Sequence, residues 1–364
     1  MAQGPLDGVR VLEFASIGPG PFCAMLLSDM GADIVRIDRP SGVAGTGPNA
    51  ALQRGRPSLV LDLKSDADHA LALRAAAAAD VLIEGNRPGV MERLGLGPVP
   101  LMAANHRLIY GRMTGYGQTG PGAHLAGHDI NYLAMTGALD VIGDSKGPPH
   151  PPLNLLGDFG GGALYLAFGI VAALYERERS GHGQIIDAAI VDGSASLMGM
   201  VHGAFATGSL SRRQDANLLS GAAPFYRCYA CADGKYIAVG AIEPQFYQKF
   251  LSAMEADAFA HYQQRDPSFW PELSASLEAK FATKPLNDWL DLLEPLDACI
   301  NAVLTVEESI AHPHARERSM FVDVGGVALP APAPRFSRTP GAIQGPAAKR
   351  NEGGRAALAR WNVS

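Results

Sequence analysis

The first half of the chain alternates between two kinds of apolar pattern. Residues 9–15 (VRVLEFA), 33–38 (DIVRID), 58–63 (SLVLDL), 81–84 (VLIE) and 107–113 (RLIYGRM) are short runs rich in β-branched and other apolar residues, and they predict strands. Residues 22–30 (FCAMLLSDM), stopped by Gly31, and residues 66–79 space their apolar positions as a helix does. Gly18-Pro19-Gly20-Pro21 reads as the turn between the first strand and its helix. Largely apolar strands separated by helices predict an α/β fold on a doubly wound parallel sheet.

The pattern then changes. Residues 163–175 (ALYLAFGIVAALY) are apolar on every side and give way to Glu176, Arg177, Glu178 and Arg179, which predicts a buried helix emerging into solvent. A strand near Ile185 gives way to a helix of small residues running through Met200. Residues 203–224 are rich in Gly, Ser and Ala with few periodic apolar positions, which suits an extended linker. Residues 225–229 and 235–239 read as strands, and 245–254, 270–281 and 285–293 as helices, of a smaller α+β domain. A proline-stiffened segment around 328–336 returns from it, and 354–361 form a short last helix. The expected division is a large domain over 1–188, a linker over 189–224, a small domain over 225–317 and a return linker over 318–331.

At 364 residues the chain exceeds what one small core organises, in line with two domains. A formal net charge of −6 argues against nucleic acid or an anionic membrane as partner, so a phosphate-bearing ligand requires a local cluster of cations. The apolar run ending at Tyr175 is short for a membrane span and opens on glycines. No basic-then-apolar leader opens the sequence. Cys23, Cys228, Cys231 and Cys299 contain one C-x-x-C pair, read as two buried thiols rather than half a zinc site, and a reducing cytoplasm is the expected location.

Candidate chemistry gathers in residues 127–162. Asn154 and Asp158 precede Gly160-Gly161-Gly162 at the start of the apolar helix. There, unpaired N–H groups and the helix dipole favour negative charge, on a carboxylate or on an oxyanion forming in a substrate, and glycines leave room for a ligand to approach. An aspartate at a helix start is ordinarily a cap, and a single histidine is ordinarily structural. The less ordinary feature is the combination: His128 as base candidate and Asp158 as acid candidate on either side of one glycine-rich helix start. Gly18-x-Gly20 with Asp38 imitates a dinucleotide fingerprint, but Pro19 and Pro21 lack the N–H groups that would cradle a pyrophosphate, and Cys23 takes the place of the third glycine. Arg39, Arg54, Arg56, Lys64, Arg87 and Arg93 fall just after predicted strands, whose C-terminal ends face one crevice in a parallel sheet; as a group they point to a ligand bearing several phosphates. Glu243 lies between a strand and a helix of the small domain and matters only if a second domain or subunit brings it over the first site.

Several longer phrases carry a resemblance. They are Gly127-His128-Asp129-Ile130-Asn131-Tyr132, residues 154–162 (NLLGDFGGG), residues 183–187 (GQIID) and residues 241–247 (AIEPQFY), together with residues 8–13 and 31–38. Running through nearly the whole chain, they resemble the α-methylacyl-CoA racemases of the class III CoA-transferase (CaiB/BaiF) superfamily. The resemblance implies an interlocked homodimer, each subunit having a Rossmann-like large domain completed by residues 332–364 and a small α+β domain joined by two long linkers. It implies His128 and Asp158 as the catalytic pair, with Asn154 and Glu243 supporting them by hydrogen bonds. It further implies CoA contacts from Ile17, Arg39, the segment Leu61, Asp62, Leu63 and Lys64, then Gly85, Asn86, Arg87 and Arg93, and finally Gly127, Asp129, Ile130, Asn131 and Tyr132. The implied reaction inverts the carbon beside an acyl-CoA thioester through an enolate, one group removing a proton as the other delivers one. N–H groups near Asp158 would hold the oxyanion, and no metal or cofactor is required beyond the CoA of the substrate. Within the superfamily the alternative is CoA transfer between carboxylic acids with Asp158 as nucleophile; outside it, a non-catalytic CoA-binding protein.

Overall fold

The computed structural model of the chain describes residues 4–41, 49–142, 147–210 and 217–364. Its contacts divide into two units, a larger one of Met1–Thr136, Pro152–Met198 and Pro313–Ser364 and a smaller one of Gly137–Pro151 and Gly199–His312.

The larger unit is built on six parallel strands: β1 (Arg10–Phe14), β2 (Asp33–Asp38), β3 (Ser58–Val60), β4 (Val81–Glu84), β5 (Ile109–Thr114) and β6 (Ile185–Ala189), in the order β3-β2-β1-β4-β5-β6. Successive residues of each strand serve opposite faces. Leu12, Val35 and Leu82 pack with Leu71, Leu358 and Trp361 on one side, while Val11, Ile34, Val81 and Ile109 pack with Cys23, Leu27, Leu166 and Ile170 on the other. Burial on both faces explains why the strands are largely apolar, with the buried charges Glu13, Arg36, Asp38, Glu84 and Arg112 as exceptions. The order reverses between β1 and β4, where connections leave in opposite directions and open a crevice beyond the strand ends.

Two local expectations change here. Gly18 takes a positive φ (72°) as the cap of helix Pro19–Asp29, so the Gly-Pro-Gly-Pro phrase already belongs to the helix start. Proline suits that position, because its missing N–H would have no intrahelical acceptor. Asp158 lies within a π-helical segment, Leu155–Ala163, which continues as the α-helix Leu164–Ser180, rather than just before a helix at 163. That α-helix is only partly buried. Leu166, Ile170 and Ala173 face the sheet, whereas Leu164, Phe168, Val171 and Tyr175 form a stripe between 46% and 73% exposed. By length and composition Leu155–Ser180 would cross a bilayer, but its inner face is part of the sheet's core.

The helix of small residues expected through Met200 is present as Ile190–Leu197, and a further helix, Gly199–Ala206, carries helical structure on into the expected linker. The small residues serve packing. A Cβ on Gly193 would stand 1.8 Å from the Gly161 carbonyl oxygen, and one on Gly161 would stand 2.4 Å from Ser194 Oγ, so the π-helical segment and helix Ile190–Leu197 cross at backbone contact. Residues 211–216 of the expected linker lie outside the described residues.

The smaller unit has an antiparallel sheet of β7 (Tyr226–Ala230), β8 (Tyr236–Gly240) and β9 (Ile300–Ala302), covered by helices Pro244–Ala253, Trp270–Phe281 and Leu286–Leu293. Phe225, Phe250, Phe281 and Trp289 dominate its core, and the Trp289 Nε1–H donates to the Phe281 carbonyl at 2.9 Å. Cys231 is buried but Cys228 is exposed, correcting the picture of two buried thiols. Three residues apart, the pair falls on opposite faces of an extended chain.

Back in the larger unit, β10 (Phe321–Val324) and β11 (Val327–Pro330) form a hairpin where a return linker was expected. Gly325 and Gly326 both take positive φ, the requirement of a tight two-residue hairpin turn. The last helix, Gly354–Arg360, is fixed by Trp361 Nε1–H donating to Asp33 at 2.8 Å.

Candidate functional site

The crevice predicted by the strand order is present in the larger unit as a cavity of about 750 Å³. Its walls are the segments leaving the C-terminal ends of β1 (Ser16, Ile17), β4 (Gly85, Asn86, Arg87) and β5 (Gly115, Tyr116), together with His128, Asn131, Tyr132 and Asp158. A second cavity shares Arg39, Gly85, Asn86 and Arg87 with the first and adds Leu61, Leu63, Met91 and Leu94. One end of this space is therefore titratable, and the other cationic and apolar.

His128 immediately precedes helix Asp129–Met135, and its backbone N–H donates to Asn131 Oδ1 at 3.0 Å. Asp158 faces the cavity near Gly18, where an added Cβ would stand 3.0 Å from Asp158 Oδ2. Burial, with the neighbouring Asp129 carboxylate, pushes the Asp158 carboxyl up to about 6, while His128 and a hydrogen bond from Asn154 pull it down. A carboxyl in that range exchanges protons readily near neutral pH, as an acid/base catalyst must. The Tyr132 hydroxyl donates to the Gly127 carbonyl at 2.5 Å, and its ring meets Tyr116 edge-on with centroids 5.0 Å apart. Burial first, then the Asp158 charge, push the Tyr132 phenol up to about 12, so it stays neutral and braces the loop before His128.

Asp129 does not line the cavity. Its buried side chain turns to the π-helical segment, and Oδ1 accepts the N–H of Asp158 at 2.6 Å. The N–H of Asp158 is thus occupied and is not an oxyanion donor. Of the opening N–H groups of helix Asp129–Met135, on the His128 side of the site, that of Asn131 donates to the His128 carbonyl at 2.8 Å, while those of Asp129 and Ile130 have no intrahelical acceptor.

Of the cations grouped by sequence, Arg39 and Arg87 reach the cavities, and Arg39 Nη2 donates to Asn86 Oδ1 at 2.7 Å. Arg54 and Arg56 do not. Arg54 pairs with Asp29 and donates to the Pro330 carbonyl at 2.8 Å, and Arg56 pairs with Glu13 at 2.8 Å with both side chains fully buried. These two arginines neutralise acids inside the fold. Asp62, Lys64, Arg93 and Ile130 line neither cavity, and Asn154 acts on the site through Asp158. Glu243 belongs to the smaller unit, where it precedes helix Pro244–Ala253. Among the lining residues that the sequence did not point to are Tyr116, Gln53 and Arg350, whose guanidinium donates to the Arg39 and Pro40 carbonyls. Tyr116 stands just past β5, where the strand-end rule would have found it; nothing in the spacing of Gln53 or Arg350 points to the crevice.

Comparison with known proteins gives a consistent picture. Residues 6–352 match the family described as CoA-transferase family III. The chain is 46% identical over 347 residues to a Mus musculus protein named alpha-methylacyl-CoA racemase, covering 95% of this chain and 89% of that one. It is 44% identical over 340 residues to the Homo sapiens protein of the same name, covering 92% and 87%. The crystal structure of a CAIB/BAIF family protein from Brucella suis superposes with a TM-score of 0.87 at 28% identity, covering 99% of this chain and all of that one.

Proposed function

This chain belongs to CoA-transferase family III, and from that premise we propose that it interconverts the (2R) and (2S) forms of 2-methylacyl-CoA thioesters. The observation that carries the proposal is that His128 and an Asp158 carboxyl raised to about 6 line one cavity.

One of the pair takes the proton from the carbon beside the thioester. The C–H electron pair moves into a carbon–carbon double bond and the carbonyl pair onto oxygen, giving an enolate. The other group returns a proton to the opposite face, and the carbonyl reforms. For one enantiomer His128 is the base and protonated Asp158 the acid; for the other the roles exchange. Asn154 supports Asp158. The N–H groups of Asp129 and Ile130, which open helix Asp129–Met135, would receive the enolate oxygen, a stabilisation typically worth about 3–4 kcal/mol per donor. Arg39 and Arg87 hold the CoA phosphates, and this remote binding fixes the reacting carbon between the two groups. Proton transfer of this kind needs no cofactor besides the CoA of the substrate. The exposed stripe of Leu164, Phe168, Val171 and Tyr175 supports a homodimer, since an apolar face of that size is ordinarily covered.

Incubation with a 2-methylacyl-CoA in heavy water tests the proposal. The expected result is deuterium at the α-carbon together with loss of configuration; no label under conditions that turn over the enzyme would end it. Trapping of an enzyme-bound acyl group by hydroxylamine, with dependence on a second carboxylic acid, would favour CoA transfer through Asp158 instead.

A further inference from the structure

Asp129 is buried, with 9% of its surface exposed, and its two oxygens are in different situations. Oδ1 accepts the Asp158 N–H at 2.6 Å and lies so close to Gly157 that a Cβ there would approach to 2.3 Å. Oδ2 is buried with no hydrogen-bond partner. A carboxyl in such a place is costly, and a neutral amide would satisfy the same N–H. Its charge therefore calls for an account of its own.

The geometry points to Asp129 as a positioning residue for the reaction proposed above: its side chain pins the backbone of Asp158 in the π-helical segment and sets a second carboxyl against the first. The inference rests on that reading of His128 and Asp158 as an acid/base pair. The groups bearing on Asp158 are His128, Asp129 and Tyr132 from the helix Asp129–Met135 side, and Asn154 from its own segment. The two other helices packed on that segment present no charge to it: Pro19–Asp29 offers Gly18 and Phe22, and Ile190–Leu197 offers Ser194. Asp129 is thus the one acidic side chain among the described residues facing Asp158, and after burial it is the largest influence raising the Asp158 carboxyl; burial raises the Asp129 carboxyl too, against the N–H groups of Asp158 and Gly157 that lower it, so the two carboxyls titrate as a pair. Two carboxyls at close quarters resist ionising together, so the second one keeps a proton available on the first near neutral pH.

Two substitutions separate charge from packing. D129N keeps an oxygen for the Asp158 N–H and removes the charge; G157A keeps both carboxyls and drives the Asp129 side chain away. The primary readout does not involve turnover. The infrared band of the protonated Asp158 carboxyl, assigned by its loss in D158N, is followed against pH in the full-length protein. The midpoint is expected to fall from about 6 by about one pH unit in D129N, and in the same direction in G157A. The kcat/KM profile should move to lower pH by a similar amount, equally in both directions, because the two enantiomers share one equilibrium constant. Amide exchange at Asp158 should stay slow in D129N and quicken in D129A, which lacks the acceptor. An unchanged infrared midpoint in D129N and G157A overturns the inference even if α-proton exchange is intact. Absence of α-proton exchange in the unaltered protein overturns the proposed reaction and leaves the midpoint measurement standing.

Discussion

Gly193→Ala tests the packing that places Asp158. A Cβ at residue 193 would lie 1.8 Å from the Gly161 carbonyl oxygen and 3.0 Å from Gly161 Cα, with backbone rather than a flexible side chain in the way. Real Cβ atoms essentially never come under 3.0 Å, so the π-helical segment and helix Ile190–Leu197 must part by about 1.2 Å at this point. Overpacking of a close interface costs about 1–3 kcal/mol, and a backbone clash belongs at the upper end. Because Asp158 rides on the same segment, a shift near 1 Å should also slow proton transfer by about a hundredfold. Urea unfolding and α-proton exchange measured on the same preparation read both effects. Gly203→Ala is the control: it sits in helix Gly199–Ala206 with nothing within 4 Å of an added Cβ, so it should be neutral or stabilising by up to about 1 kcal/mol. Gly193→Ala within about 0.5 kcal/mol of the unaltered protein, at normal activity, would mean that the two backbones do not need a glycine at this crossing.

Arg56→Met should destabilise the larger unit by about 3–5 kcal/mol by stranding the fully buried Glu13 carboxylate, and the Glu13→Leu/Arg56→Met pair should recover most of that loss in urea unfolding. Arg87→Ala should raise KM for a CoA thioester by about tenfold or more while leaving a pantetheine thioester, which lacks the nucleotide phosphates, nearly unaffected. Since the folded protein holds the Asp158 proton to about pH 6 against an ordinary 3.8, it binds more protons than the unfolded chain in that window and loses stability as pH rises through it. Asp158→Asn should therefore be more stable than the unaltered protein well above pH 6, with the gap closing well below pH 4; unfolding free energies with no gap at high pH would contradict this.

Much of the fold was legible because parallel strands buried on both faces write themselves as short, largely apolar runs between helical patterns, and β2 and β4 fall where the pattern places them. The parts that escaped share a cause: one residue type serves two purposes that look alike in sequence. Arg54 and Arg56 carry the same charge as Arg39 and Arg87, and only the acids at Asp29 and Glu13, distant along the chain, make them internal. Gly161 and Gly193 look like ligand access or flexibility, yet they permit two backbones to touch. At the site, His128 and Asp158 were legible as a pair, whereas the inward turn of the Asp129 side chain depends on where Gly157 and Asp158 come to rest. Arg350 reaches the crevice only because the C-terminal segment returns along β3, with Ser58 bridging to Gly353.

The most direct test of two opposed proton-transfer groups is α-proton exchange in heavy water, measured separately on each pure enantiomer with His128→Ala and Asp158→Ala. Each variant keeps one group, so each should still label one enantiomer and fail on the other, the two variants failing on opposite enantiomers while neither inverts the configuration. If both variants lose the same enantiomer, or either racemises at a near-normal rate, then His128 and Asp158 do not serve opposite faces of one carbon.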